Sequence, residues 1–254
     1  MTSRKLFEFD REFNSSLIIG TDEAGRGPGA GGVFASAVYF PNTDDKLIKQ
    51  LACLNDSKKL SKKQREELYE IILENTINST VCVEVEEIEK INLLNASLKA
   101  MGAAVENVVK EIGNRKGERA NSRSGILARQ QSRVGLLSHQ HEANILLLID
   151  GNKLIKTIQP FDHSTFQQKC IVKGDGKSAS IAAASILAKV SRDRYMADLH
   201  EKFPHYNWVQ NAGYLTREHL HAIDRYGLTP CHRKSFLRKH EEKCNTVQLN
   251  LYQK

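Results

Sequence analysis

The chain has 254 residues, 40% of them hydrophobic, enough for one large domain or one core with a small appendage, which excludes a disordered tail. Lysine and arginine outnumber the acids 37 to 30, and the resulting charge of +7 suits a polyanionic partner such as nucleic acid without requiring one. No apolar run approaches bilayer length, the charged start Met1–Glu12 lacks a secretory core, and five scattered cysteines without a C-x-x-C pair fit reduced thiols in the cytoplasm.

Residues 1–16 read as an N-terminal extension. Leu17 to Ile19 then opens an apolar run that ends at Asp22, a glycine-dense loop spans Gly25 to Gly32, and Val33 to Phe40 reads as a second strand, giving a hairpin-like unit. Ser61-Lys62-Lys63-Gln64 matches a capping box, and Leu68, Ile71 and Ile72 continue it with helical spacing. Val81, Val83 and Val85 alternate with polar residues as a half-buried strand does, and Leu94, Leu98, Met101, Val105, Val108 and Ile112 mark one face of a long helix. From Gly113 to Glu142 the period is lost and Arg, Asn, Ser and Gln dominate, which predicts an inserted basic loop.

The uninterrupted run Ile145 to Ile149 predicts a fully buried strand that delivers Asp150 at its end. Cys170 to Lys173 reads as a further short strand and Lys173-Gly174-Asp175-Gly176 as a turn, and Ser178 begins an alanine-rich helix running towards Leu199. Thr216 caps another helix, which is expected to bury Leu220 and Ile223 and to stop at Gly227. Strands come first as a hairpin and then alternate with helices. This order predicts an α/β fold with a mixed sheet, a core over 17–200, a helical C-terminal part over 201–240 and a tail over 241–254.

Asp22, Glu23, Asp150 and Asp175 each border an apolar or small-residue segment, with glycine nearby. Singly, such acids are turn formers or caps. Converging at one end of a sheet they would repel one another, and oxygen ligands of this kind favour Mg2+ or Mn2+. Spacing does not show whether they meet. The histidines His139, His141, His219 and His221 lack zinc spacing and are expected at the surface or in packing.

The segments DEAGRG (22–27), DSKKLS (56–61), IDGN (149–152), KGDGKSASIAAASILAKVSRDR (173–194) and HRKSF (232–236), in this order, resemble ribonuclease HII from about Leu17 to Arg238. The resemblance implies a ribonuclease H-like mixed β-sheet flanked by helices, and an endonuclease that cuts RNA in RNA–DNA hybrids and nicks 5′ to single ribonucleotides in duplex DNA. It makes Asp22, Glu23, Asp150 and Asp175 the catalytic and metal-binding set, with Mg2+ or Mn2+ as cofactor. Asp193 also lies in a matching segment, but its place inside the helix beside Arg192 and Arg194 reads as that of a structural ion-pair partner. Gly25-Arg26-Gly27 resembles the loop whose backbone reads the 2′-hydroxyl at the RNA-to-DNA junction. Tyr214 aligns with the tyrosine that packs on the following deoxyribose. Lys58, Lys59, Lys173, Lys177, Lys189, Arg233 and Lys234 are the expected phosphate contacts.

The sequence departs from this pattern at Gly29, where a bulkier residue is usual, at Gly32, where a second proline is usual, and at Leu215, where proline is usual. The glycines predict a looser loop. Five arginines of the 113–142 insert, from Arg115 to Arg133, could add non-specific nucleic-acid contacts or form a solvated linker. The C-terminal Gln248-Leu249-Asn250-Leu251-Tyr252 looks like a short sliding-clamp docking peptide, the alternative being a frayed tail. No exposed apolar stripe demands a partner, so a monomer is expected. Two rival readings are ribonuclease HIII, which carries an extra N-terminal domain where about sixteen residues precede the first strand here, and a non-catalytic hybrid-binding protein.

Overall fold

In the computed structural model, which describes residues 2–55, 57–127, 144–156, 166–238 and 240, five strands form one sheet. They are β1 (Leu17–Ala24), β2 (Val33–Tyr39), β3 (Ile77–Val83), β4 (Ile145–Asp150) and β5 (Phe166–Ile171), in the spatial order β3-β2-β1-β4-β5. β1 pairs antiparallel with β2 and parallel with β4, so the hairpin half and the crossover half of the sheet meet at β1. The remaining pairs are β2–β3, antiparallel, and β4–β5, parallel. The expected hairpin and buried strand are both present, and β5 begins at Phe166, ahead of the expected Cys170.

The helices among the described residues are α1 (Ser3–Arg11), α2 (Asp45–Gln50), α3 (Lys62–Asn75), α4 (Val85–Ile91), α5 (Leu93–Leu127), α6 (Ala179–Lys202), α7 (Trp208–Asn211) and α8 (Arg217–Tyr226), with short 3-10 turns at Ser57–Lys59, Gly174–Gly176 and Pro204–Tyr206 and a further helical turn at 234–238. Strand alternation assigns the two principal ones to opposite faces of the sheet. Ile19, Leu147 and Ile149 meet Met101, Val105 and Val108 of α5. On the other face Val38 packs with the alanines of α6, Leu6 and Phe7 of α1 and Leu68 and Ile72 of α3. β4 is covered on both faces, Leu146 and Leu148 meeting Ile181 of α6, so its sequence is continuously apolar. At Gly20 a Cβ would stand 2.2 Å from the Ser180 carbonyl carbon, so the missing side chain lets α6 lie directly on β1.

The expected caps form. Ser61 and Gln64 make the full capping box of α3, and the Thr216 hydroxyl accepts the His219 N–H of α8 at 3.3 Å. The chain departs from expectation at four places, the first being Val85, which opens α4 instead of continuing β3. Residues 1–16 contain α1, which buries Leu6, Phe7 and Asp10, the carboxylate accepting the Ser180 N–H at the start of α6 (2.9 Å). Helix α5 continues through Gly113 to Leu127, where a loop was expected, because 3.6-residue backbone bonding survives the loss of an apolar stripe. The rest of the expected insert lies outside the described residues, as does the Gln248–Tyr252 peptide. In α8 the inward residues are His219, Ala222 and Ile223, with Leu220 only partly covered.

A separate apolar cluster seats the C-terminal part on the end of α6, where Tyr206, Trp208, Ile223 and Leu237 pack on Met196 and Leu199. No helix among the described residues is long and apolar enough to cross a membrane.

Candidate active site

β1 and β4 run side by side with Thr21 opposite Ile149, so the next residue of each strand, Asp22 and Asp150, emerges at the same sheet edge. The two-residue period sends Asp22 towards α6 and Glu23 towards α5. Asp22, Glu23 and Asp150 line a cleft of about 370 Å3 with Gly25, Gly27 and Tyr214. Thus acids separated by 127 residues or more in sequence are gathered with the glycine loop and the tyrosine in one place. A larger groove of about 910 Å3 between α5 and the loop after β4 has Leu94, Leu98 and Leu154 in its walls and lacks this convergence of acids.

Burial and the charges of Glu23 and Asp150 hold the Asp22 carboxyl well above the usual carboxylate range. Burial also raises Glu23, opposed by Arg26, whose Nη1 donates to Glu23 Oε1 at 3.1 Å. Asp22 Oδ1 accepts the Glu23 N–H at 2.7 Å, and Asp150 Oδ1 accepts the Gly174 N–H at 2.6 Å. Asp175 is buried in the turn Gly174–Gly176 next to this bond, and it does not line the cleft. Among the described residues no three acid, histidine or cysteine side chains are already gathered as an ion cage. Oxygen donors that repel one another suit a hard divalent cation, which would neutralise them.

The fourth wall is α6. Ser185, Lys189 and Arg192 stand four and three residues apart on one face of an otherwise alanine-rich helix, and all three line the cleft. The spacing of this polar stripe is legible in the sequence, although only Lys189 of the three is among the expected phosphate contacts. Ser185 hydrogen-bonds to Asp22, and Ser57 Oγ lies 3.0 Å from Ser185 Oγ. With Asp22 ionised, as cation binding requires, Ser185 donates to Asp22 and Ser57 donates to Ser185. Asp193 faces Lys189 (3.3 Å) and Arg65 (3.8 Å), the ion-pair role expected of it.

The loop after β1 is held closely, contrary to the expectation of looseness. Gly29 N donates to Gly213 O (2.9 Å), Gly31 N donates to Cys231 O (2.8 Å), and Arg233 N donates to Gly29 O (2.8 Å). A Cβ at Gly29 would lie 2.6 Å from Leu215 Cγ, and one at Gly32 would lie 2.6 Å from Cys82 Sγ. The two departures at 29 and 215 therefore touch: a large residue at 215 occupies the space left by glycine at 29. Gly27 lies equally close under Tyr214, where a Cβ would be 2.9 Å from the ring Cε1. Tyr214 is 53% exposed and stands in the wall of the cleft beside the acids.

Arg233, expected to meet a phosphate, instead faces the interior of the loop. It is fully buried, and its Nε and Nη2 donate to Gly31 O (2.9 and 2.6 Å) while Nη2 also reaches Gly32 O (3.1 Å). Burial, then the neighbouring Arg192, pushes its guanidinium down to about 10. Arg192 makes the companion clamp, donating to Ala30 O (3.1 Å) and Ala212 O (3.0 Å). Residue type gave the charge of Arg233, but burial decides its use. Lys59, Lys173 and Lys234 are exposed, and Lys177 Nζ donates to Val172 O (2.8 Å), while the side chain of Lys58 is not among the described ones.

A mixed sheet in this order, flanked by helices and carrying acids at the ends of β1 and β4, defines a ribonuclease H-like protein. The family model of ribonuclease HII matches residues 19–239. Ribonuclease HII of Rickettsia canadensis is 40% identical over 231 residues, 91% of this chain and 95% of that protein. Among solved structures, ribonuclease H2 from Pyrococcus horikoshii OT3 superposes with a TM-score of 0.61 at 22% identity, covering 89% of this chain and 98% of that one. The ribonuclease HII of Archaeoglobus fulgidus, solved as a complex with PCNA, gives 0.56 at 23%, covering 85% and 93%. The chain belongs to the ribonuclease HII family and is an endoribonuclease of the ribonuclease H type.

Proposed function

We propose that this protein hydrolyses the phosphodiester 5′ to a ribonucleotide in RNA–DNA hybrids and at single ribonucleotides in duplex DNA, leaving a 3′-hydroxyl and a 5′-phosphate. The observation that carries the reading is one cleft holding the mutually repelling Asp22, Glu23 and Asp150 beside the Gly25–Gly27 loop and the exposed face of Tyr214. Asp22, Glu23, Asp150 and Asp175 would hold two Mg2+ or Mn2+ ions, Asp175 through the turn already bonded to Asp150. Such a pair supplies an activated water and charge stabilisation for the leaving oxygen.

The protein's own residues do the rest. Ser57 and Ser185 orient Asp22, and Arg26 holds Glu23 until substrate arrives. Gly25, Arg26 and Gly27 present main-chain groups to the 2′-hydroxyl, a close approach that side chains would block. Tyr214 supports the deoxyribose beyond the scissile phosphate. Lys59, Lys173 and Lys177, with Lys58, position the backbone without reading sequence. The Gln248–Tyr252 peptide is proposed to dock on a sliding clamp, and failure of that peptide to bind purified clamp at high micromolar concentration would remove the idea.

The test is duplex DNA carrying one ribonucleotide, incubated with the protein and Mg2+ or Mn2+. Nicking 5′ to that nucleotide is the expected result. Cleavage only of long hybrid tracts would assign the narrower activity of ribonuclease HIII, and binding without cutting would make the protein a non-catalytic hybrid binder.

A further inference from the structure

Tyr214 offers a free ring to the cleft, but its backbone is anchored from the opposite side. Its N–H donates to Asn211 O (2.9 Å), and its carbonyl accepts both the Thr216 N–H (2.8 Å) and His219 Nδ1 (2.9 Å). Both peptide planes flanking the tyrosine are thereby fixed, and with them the direction of the Cα–Cβ bond that carries the ring towards Gly27. His219 is fully buried, as is Trp208, whose Nε1 donates to His219 Nε2 at 3.0 Å. His232, 2% exposed, brings its Nε2 to 3.1 Å from the same atom.

The partners dictate one proton arrangement. His232 Nδ1 accepts the Thr229 N–H (2.9 Å), so the His232 proton is on Nε2 and points at His219. A carbonyl only accepts, so His219 carries its proton on Nδ1 and donates to Tyr214. His219 Nε2 is then a bare lone pair receiving two donors, one from Trp208 and one from His232. The chain runs from Thr229 through both imidazoles to Tyr214 with each ring neutral. A further proton on either ring would set N–H against N–H. Burial, first of all, lowers both histidines, pushing His232 to about 4, which keeps the relay intact at neutral pH.

We infer that His219, backed by Trp208 and His232, is a positioning residue that sets Tyr214 over Gly27 and so tunes the preference for a deoxyribose next to the ribonucleotide. The inference rests on the assignment of Tyr214 to that sugar. The two ring nitrogens of His219 divide the work: Nε2 satisfies the buried donors of the core, whereas Nδ1 alone reaches the site. Stability and selectivity can therefore be separated by substitution.

The experiment uses the full-length protein with two substrates, duplex DNA containing one ribonucleotide and an uninterrupted RNA–DNA hybrid, and reads the ratio of their kcat/KM values together with Tm. His219→Gln keeps an acceptor near Nε2 and loses the donor to Tyr214. His219→Asn keeps a donor near Nδ1 and loses the core acceptor. We expect His219→Gln to lower the single-ribonucleotide ratio about five- to tenfold, the worth of one buried hydrogen bond, with little loss of Tm. His219→Asn is expected to lower Tm while keeping the ratio, and Tyr214→Ala with His219→Gln should be no worse than Tyr214→Ala alone. A wild-type ratio in His219→Gln, where Tyr214→Ala lowers it, overturns the inference alone. So does a ratio that simply tracks Tm in both histidine variants. If Tyr214→Ala leaves the ratio unchanged, the sugar assignment fails and takes the inference with it.

Discussion

Arg233 is the residue at which two readings of the same charge give opposite outcomes. As a phosphate contact it should tolerate lysine, which keeps the charge. As a clamp it should not, because one ammonium cannot replace a fork that bonds Gly31 O twice and Gly32 O once. Losing two of the three bonds, at roughly 1.5–3 kcal/mol for each bond to a charged donor, destabilises Arg233→Lys by about 3–6 kcal/mol. For a chain of this size the Tm falls by on the order of 10 °C. The assay pairs thermal unfolding with the salt dependence of hybrid binding below the transition. We expect a lowered Tm and an unchanged slope of log Kd against log salt. An unchanged Tm in Arg233→Lys, with a slope in Arg233→Met reduced by about one, would return Arg233 to the phosphate contacts and refute the clamp.

Asp22→Asn removes a buried charge that repels Glu23 and Asp150, so the metal-free variant should melt higher than the parent while turnover falls by about a thousandfold or more. Calorimetry and a nicking assay read the two effects. Gly27→Ala places a methyl 2.9 Å from a ring that can swing away, so it should lower single-ribonucleotide cleavage about tenfold or more and leave Tm within about 1 °C of the parent; a fall in Tm with normal cleavage would contradict it. Gly29→Leu meets Leu215 and should cost about 1–3 kcal/mol by overpacking, most of which Leu215→Gly restores in the double variant; additive losses in urea unfolding would show that the two do not share one space. His232, held down to about 4 from 6.5, keeps its proton off in the folded chain while the unfolded chain takes one up. Stability from this source is present above about 6.5 and is lost as pH falls towards 4, by at most about 3 kcal/mol. Asp10, held up to about 6 by burial, opposes this below pH 6, so Asp10→Asn should steepen the acid loss in a series of urea melts.

Local pattern carried the elements whose cause is local. The capping box at Ser61, the Thr216 cap, the apolar run to Asp150 and the alanine-rich start of α6 are each a short-range signal. Helix α1 escaped because Leu6 and Phe7 become an apolar face only against Phe40 and α6, which lie far along the chain. The continuation of α5 past Gly113 escaped because helix persistence needs no amphipathic stripe. At the site, residue types and order pointed to the acids, and topology brought Asp22, Glu23 and Asp150 to one sheet edge. Burial was not legible. It turned Arg233 from a ligand contact into scaffolding, gave Ser185 its hold on Asp22, and made a tight loop of five glycines, of which Gly29 and Gly32 read as slack.

The loop's fastening has a consequence for when the enzyme can exist. Gly31 is held by Arg233, 202 residues later, and Gly29 by Gly213. During synthesis the strand bearing Asp22 and Glu23 emerges early, yet the glycine loop lacks its partners Gly213, Cys231 and Arg233 until those distant residues have followed. Contacts of such sequence separation form late and together. Until Gly213 and Cys231 follow, a growing chain carries Asp22 and Glu23 on β1 with the glycine loop still unfastened.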